Sequence, residues 1–100
     1  MPEHPLATLE KLDPAMMKHL RDCDELIYGD GALPRKMKLL IAMAFDASEG
    51  ADQGVRALAA QAMKAGATKE EIVETLRVAF HLSGVGTLYT ASQGLKDLCG

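Results

Sequence analysis

Aromatic residues are scarce in this 100-residue chain, with two Tyr, two Phe and no Trp. Cationic residues do not dominate either: 11 Lys and Arg face 14 Asp and Glu, mixed along the chain, for a formal charge of −3. Nucleic acid is thereby excluded as the main partner, because neither a phosphate-neutralising stripe nor a set of stacking rings is present. Cysteine is limited to Cys23 and Cys99. They are too far apart for a Cys-x-x-Cys pair, and no histidine flanks them at metal-ligand spacing. A reduced, cytoplasmic protein is expected, with Cys23 a small packed hydrophobe, Cys99 at a frayed end and no bridge between them. Long apolar runs are missing too. The longest, Leu39 to Phe45, is far too short for a bilayer, so no membrane partner is expected. The opening Met1-Pro2-Glu3-His4-Pro5 has neither the charged nor the apolar region of a secretory leader. Strand signals are lacking, since alternation is short-lived and β-branched residues are sparse.

What remains is helical. Hydrophobic residues make up 48% of the chain, enough for one core. No repeat, low-complexity tract or linker divides it, so residues 1–100 read as a single domain with residues 1–12 as an N-terminal arm. Two prolines keep residues 1–5 extended, and Leu6 to Leu12 suits a short helix. Asp13-Pro14 is an N-cap followed by a first-turn proline. Met16, Leu20, Cys23 and Ile27 then form one apolar stripe, which Gly29 ends. Pro34 opens a helix that is apolar nearly all round after Lys38, so it is either central or covered by a partner subunit. Asp52 is placed to cap the next helix. Val55, Leu58, Ala59, Ala62 and Met63 give that helix its face before Gly66 stops it. Thr68 and Glu71 have capping-box spacing, ahead of the stripe Ile72, Leu76, Ala79 and Phe80. Ser83-Gly84-Val85-Gly86 is a joint, and a last helix runs from about Val85 to Leu98. The expected fold is all-α, with five to six helices.

The stretches "KLLIAMAFDAS" and "ALAAQAMKAGATKEEIVETLRVAFHLSGVGTLYTA" give the chain a family likeness. With its capped turn "AGATKEEIVETL" and Gly-rich joint "SGVG", the segment Lys38 to Tyr89 resembles the carboxymuconolactone decarboxylase / alkylhydroperoxidase D family. The resemblance implies an AhpD-like helical bundle that assembles into homotrimers or homohexamers, with the site near subunit contacts. In the thiol-using branch a glutamate precedes a Cys-x-x-Cys at a helix start, and a histidine follows one turn on. There a helix N-terminus lowers the thiol pKa and the Glu–His pair relays the proton. Counted back from Ala65-Gly66-Ala67-Thr68, the glutamate position falls on Leu39, the cysteines on Ala51 and Gly54, and the histidine on Leu58. None of these four can carry a proton or a thiolate. The resemblance therefore implies the fold without the thiol chemistry, and the histidine expected for the decarboxylase branch is missing as well.

The polar groups that remain set the candidate site. Asp46 follows the apolar run, where partial desolvation would raise its pKa and suit it to general-base work; the alternative is a solvated helix end. His81 interrupts the apolar stretch before the Gly-rich joint. It is either a hydrogen-bonded packing residue or an acid–base group poised near neutrality. If the two meet, they form an orienter–base pair. Arg56 and Tyr89 are candidate holders of a substrate carboxylate or carbonyl, against ordinary surface and rim roles. The spacing of Asp46, Glu49 and Asp52 offers only oxygen ligands across a helix break, so no metal and no cofactor are expected. Two classes stay open. One is an enzyme of lyase or isomerase type, moving protons on a small carboxylic acid with His81 and Asp46. The other is a non-catalytic oligomeric binding or assembly module. An alkylhydroperoxidase or peroxiredoxin-type activity through Cys23 would need Cys99 as the second thiol.

Overall fold

The computed structural model describes residues 6–98. Among them are six α-helices and no strand: α1 Ala7–Leu12, α2 Pro14–Tyr28, α3 Arg35–Ser48, α4 Asp52–Lys64, α5 Lys69–Ser83 and α6 Gly86–Gly94, followed by a 3₁₀ turn at Lys96–Leu98. The single last helix expected from Val85 to Leu98 is thus two pieces, broken after Gly94. Residues 1–5 and Cys99, with the readings made for them, lie outside the described residues.

The helix ends follow from local chemistry. Asp13 Oδ1 accepts from the Met16 N–H at 3.0 Å, with Pro14 in the first turn, where its missing N–H has no cost. At the other end of α2, Gly29 is required by space. A Cβ there would lie 2.4 Å from the Glu25 carbonyl oxygen. Asp30 has a role the spacing did not reveal: its Oδ1 accepts from the Arg35 N–H at 2.6 Å, across Pro34. The capping box is complete, with Glu71 N–H to Thr68 Oγ1 at 3.1 Å and Thr68 N–H to Glu71 Oε1 at 2.9 Å. The hydrogen bonds from Thr68 and Lys36 hold the Glu71 carboxyl below its ordinary pKa. One cap differs from expectation. Asp52 is the first residue of α4, Ala51 precedes it, and no side chain caps the end. The Asp52 carboxylate can still favour that end through the helix dipole.

α3 is the hub, packing against α2, α4, α5 and α6. Its buried residues are Leu39, Leu40, Met43 and Ala47. Opposite them stand Val55, Ala59 and Ala62 of α4, Ile72 and Leu76 of α5, and Ala91 of α6. Alanine recurs in this core, so the helix axes can approach closely. α6 turns Thr87, Ala91 and Gly94 inward. Gly94 lies so close to α4 that a Cβ would meet the Asp52 carbonyl oxygen at 2.6 Å.

Three stripes are covered less fully than their periodicity suggests. On α2 only Met17 is buried, while Met16, Leu20 and Ile27 stay about half exposed. Phe80 ends the α5 stripe in solvent, and α3 leaves Met37, Ile41 and Phe45 uncovered. α1 packs on α2, and α2 reaches the body through α3.

Two stability outcomes follow. Thr68→Ala removes one half of the capping box and should cost about 1 kcal/mol, a fall in Tm of roughly 4–8 °C for a chain of this size, read by thermal melting. Thr87 Oγ1 is buried without a hydrogen-bond partner among the described residues. Thr87→Val keeps the shape and removes that stranded hydroxyl, so the melting temperature should hold or rise. A clear drop would show that the hydroxyl has a partner.

Candidate functional site

The turn between α3 and α4 is built around Asp46. Its backbone carbonyl accepts from the Ala51 N–H at 2.9 Å and the Glu49 N–H at 3.2 Å, closing the turn. Gly50 makes this reversal possible with φ +82°, a conformation that side chains disfavour. Asp46 lies three residues beyond Met43 and seven beyond Leu39, so it continues the inward face of α3. Its carboxyl then lands on the first turn of α4. A Cβ on Gly54 would sit 2.0 Å from Asp46 Oδ2 and 2.8 Å from its Cγ. The absence of a side chain at Gly54 is what admits the carboxyl. Desolvation there, with a smaller push from the Glu49 charge, raises the Asp46 pKa above its ordinary value.

Gly54 is also a position where the family likeness places a cysteine. Bare glycine and inert hydrocarbon were expected at this helix mouth. Instead a carboxyl from the neighbouring helix fills the space over the glycine. Of the other three positions, Leu39 is fully buried, Leu58 packs against the core and Ala51 is exposed at the start of α4.

The remaining candidates stand apart. His81 occupies the last turn of α5 and is exposed. Helical periodicity puts it on the face of Glu74 and Arg77, beside Val78 and away from Thr75, Ala79 and Leu82, which line the groove against α3. No hydrogen bond or ion pair joins Asp46 to His81 among the described residues. Arg56 is two residues beyond Gly54, on the far side of α4, and pairs with Asp97 at 2.5 Å. Tyr89 is 76% exposed. Cys23 is half-buried and free, with Sγ 3.8 Å from His19 Nε2, a neighbour the spacing did not single out. No group of three His, Cys, Asp or Glu among the described residues is arranged to hold a metal ion.

An apolar cavity lies elsewhere. An open groove of about 360 Å³ runs between α3 and α5, lined by residues that include Ile41, Phe45, Val78 and Leu82, and none of its lining is charged. Neither Asp46 nor His81 borders it.

The sequence profile of the carboxymuconolactone decarboxylase family matches residues 14–97. The chain belongs to this family. A structure similar to it is that of an apo carboxymuconolactone decarboxylase family protein from Legionella pneumophila, with a TM-score of 0.81 and 32% identity, covering 91% of this chain and 81% of that one. An uncharacterised protein of Cupriavidus necator is 31% identical over 84 residues, spanning 83% of this chain and 74% of its own length. Among the described residues no helix is long and apolar enough to cross a membrane.

The Asp46 environment has a pH signature. Folding raises its pKa, so the folded state holds the proton more tightly than the unfolded chain does. The carboxyl thus favours folding in full below its ordinary value of 3.8, and this contribution is lost as pH rises through the raised value. Asp46→Asn should melt higher than the wild type at neutral pH, and the two should converge below 3.8. Paired melting curves across that range check it.

Proposed function

We propose that this chain is a family member that works without the thiol pair, moving protons on a small carboxylic acid in a lyase- or isomerase-type reaction. The observation that supports the reading most directly is the carboxyl of Asp46 seated over Gly54, where desolvation raises its pKa and suits it to take and return a proton. His81, Arg56 and Tyr89 are each exposed, so in this reading they serve a site completed by a second copy. His81 would be the second proton carrier, and Arg56 or Tyr89 would hold the substrate. The Arg56–Asp97 pair lies at the surface and is weak, so a substrate carboxylate can displace Asp97 at little cost. Self-association in a reducing cytoplasm belongs to the same reading. The half-exposed stripes of α2, α3 and α5 support it.

A second reading, a non-catalytic assembly module, is favoured by the apolar groove that excludes both Asp46 and His81. One measurement separates them. A panel of small carboxylic acids and lactones is incubated in D₂O and followed by NMR for proton exchange or conversion. The enzyme reading expects wild-type turnover that Asp46→Asn lowers by about 10²–10⁴-fold. Gly54→Ala should lower it too, because its Cβ claims the space in which the carboxyl is seated. Alkylation of Cys23 should have no effect. A wild-type protein inert across the panel leaves the module.

A further inference from the structure

His19 and Cys23 take no part in the chemistry proposed above, yet the fold brings them together. They stand four residues apart on α2, one turn above the other, with Cys23 Sγ 3.8 Å from His19 Nε2. Cys23 is free and half-buried and His19 is exposed, so the pair can be reached from solvent. No histidine was expected at ligand spacing from Cys23. Along a helix, however, four residues is such a spacing, because it puts two side chains on one face where both can hold the same ion. The charges around the pair also suit a cation. Lys18 is bound to Asp22 at 2.8 Å and Arg21 to Glu10 at 3.1 Å, so the lysine and the arginine of α2 are both already paired.

We propose that His19 and Cys23 chelate a zinc ion, with Nε2 and Sγ as two ligands of a tetrahedral shell that water completes. The site is separate from the Asp46 carboxyl and does not depend on the reading given for it. Geometry carries the proposal. With bonds of about 2.3 Å to sulfur and about 2.0–2.1 Å to nitrogen, two atoms 3.8 Å apart subtend an angle of about 120° at the ion, near the tetrahedral value of about 109°. The contact therefore needs little adjustment to admit the metal. Donor chemistry selects its class, since thiolate and imidazole suit zinc and not the hard cations magnesium and calcium. On binding, Cys23 releases its thiol proton to water and ligates as thiolate, while His19 ligates as neutral imidazole with its proton on Nδ1. With two ligands from the protein the shell stays open to water, so the ion is exchangeable, unlike that of a closed structural centre. It also ties two successive turns of α2, a helix that buries only Met17. A ligand held by the folded helix and not by the coil stabilises the fold.

The test is a metal titration of the untagged, reduced chain carrying Cys99→Ser, in which Cys23 is the single thiol. Cobalt(II) serves as the first probe, because its thiolate complexes absorb in the near ultraviolet. One equivalent per chain should develop that band, and zinc should bleach it by displacing the cobalt. Calorimetry with zinc alone then ranks the variants, and circular dichroism checks that each one folds. His19→Ala and Cys23→Ser should each weaken zinc binding by about 10-fold or more. Leu20→Cys combined with Cys23→Ser keeps both donor types but moves the thiol about 100° round the helix, next to His19 in sequence. It should bind no better than Cys23→Ser alone. Zinc should also raise the melting temperature of the parent and leave that of Cys23→Ser unchanged. Three outcomes overturn the site: no thiolate band at millimolar cobalt, a zinc affinity that His19→Ala leaves unchanged, or a relocated thiol that binds as tightly as Cys23.

Discussion

The structure hangs on one helix with too much apolar surface. α3 places Leu39, Leu40, Met43 and Ala47 against α4, α5 and α6, and that contact makes the core. Small residues facing it, Ala59, Ala62 and Ala91, let the neighbours close in. The opposite side of the same helix presents Ile41 and Phe45 to solvent, with no other described element packed over them. The hub thus fixes the bundle and also leaves it incomplete, and the open groove is the geometric record of that excess.

The same helix delivers the candidate chemistry. Its inward face runs Leu39, Met43, Asp46, hydrocarbon for two steps and then a carboxyl at the point where the chain turns back. Asp46 closes the turn with its carbonyl and rests its side chain on Gly54, so backbone geometry and side-chain position are set by one residue. The carboxyl is partly desolvated because it belongs to a packed face, and it keeps some access to water because it stands at the end of that face.

Much of the fold was legible in the sequence, because its punctuation is local. Asp13-Pro14, Gly66 and the Thr68/Glu71 box act over three or four residues and need no tertiary knowledge. Other features required the third dimension. Periodicity identified the α2 stripe, but periodicity gives a face without saying what covers it. Asp52 had the residue type and the place of a cap, yet the turn bound by the Asp46 carbonyl makes it the first helical residue instead. The contact between Asp46 and Gly54 joins two helices across a reversal. Each residue was noted separately, but no spacing rule puts one on the other. Asp46 and His81 invited pairing because both border apolar stretches, whereas no hydrogen bond or ion pair joins them among the described residues.

The fit of Asp46 over Gly54 also orders the paths open to the sequence over time. A carboxyl occupies the volume that any side chain at Gly54 would claim, so a lone Gly54→Cys change arrives in a filled space. The aspartate has to shrink or leave first, and only then can a sulfur be accommodated. Moving between carboxyl and thiol chemistry at this helix mouth is therefore a two-step passage with a preferred sequence of events, enforced by van der Waals contact.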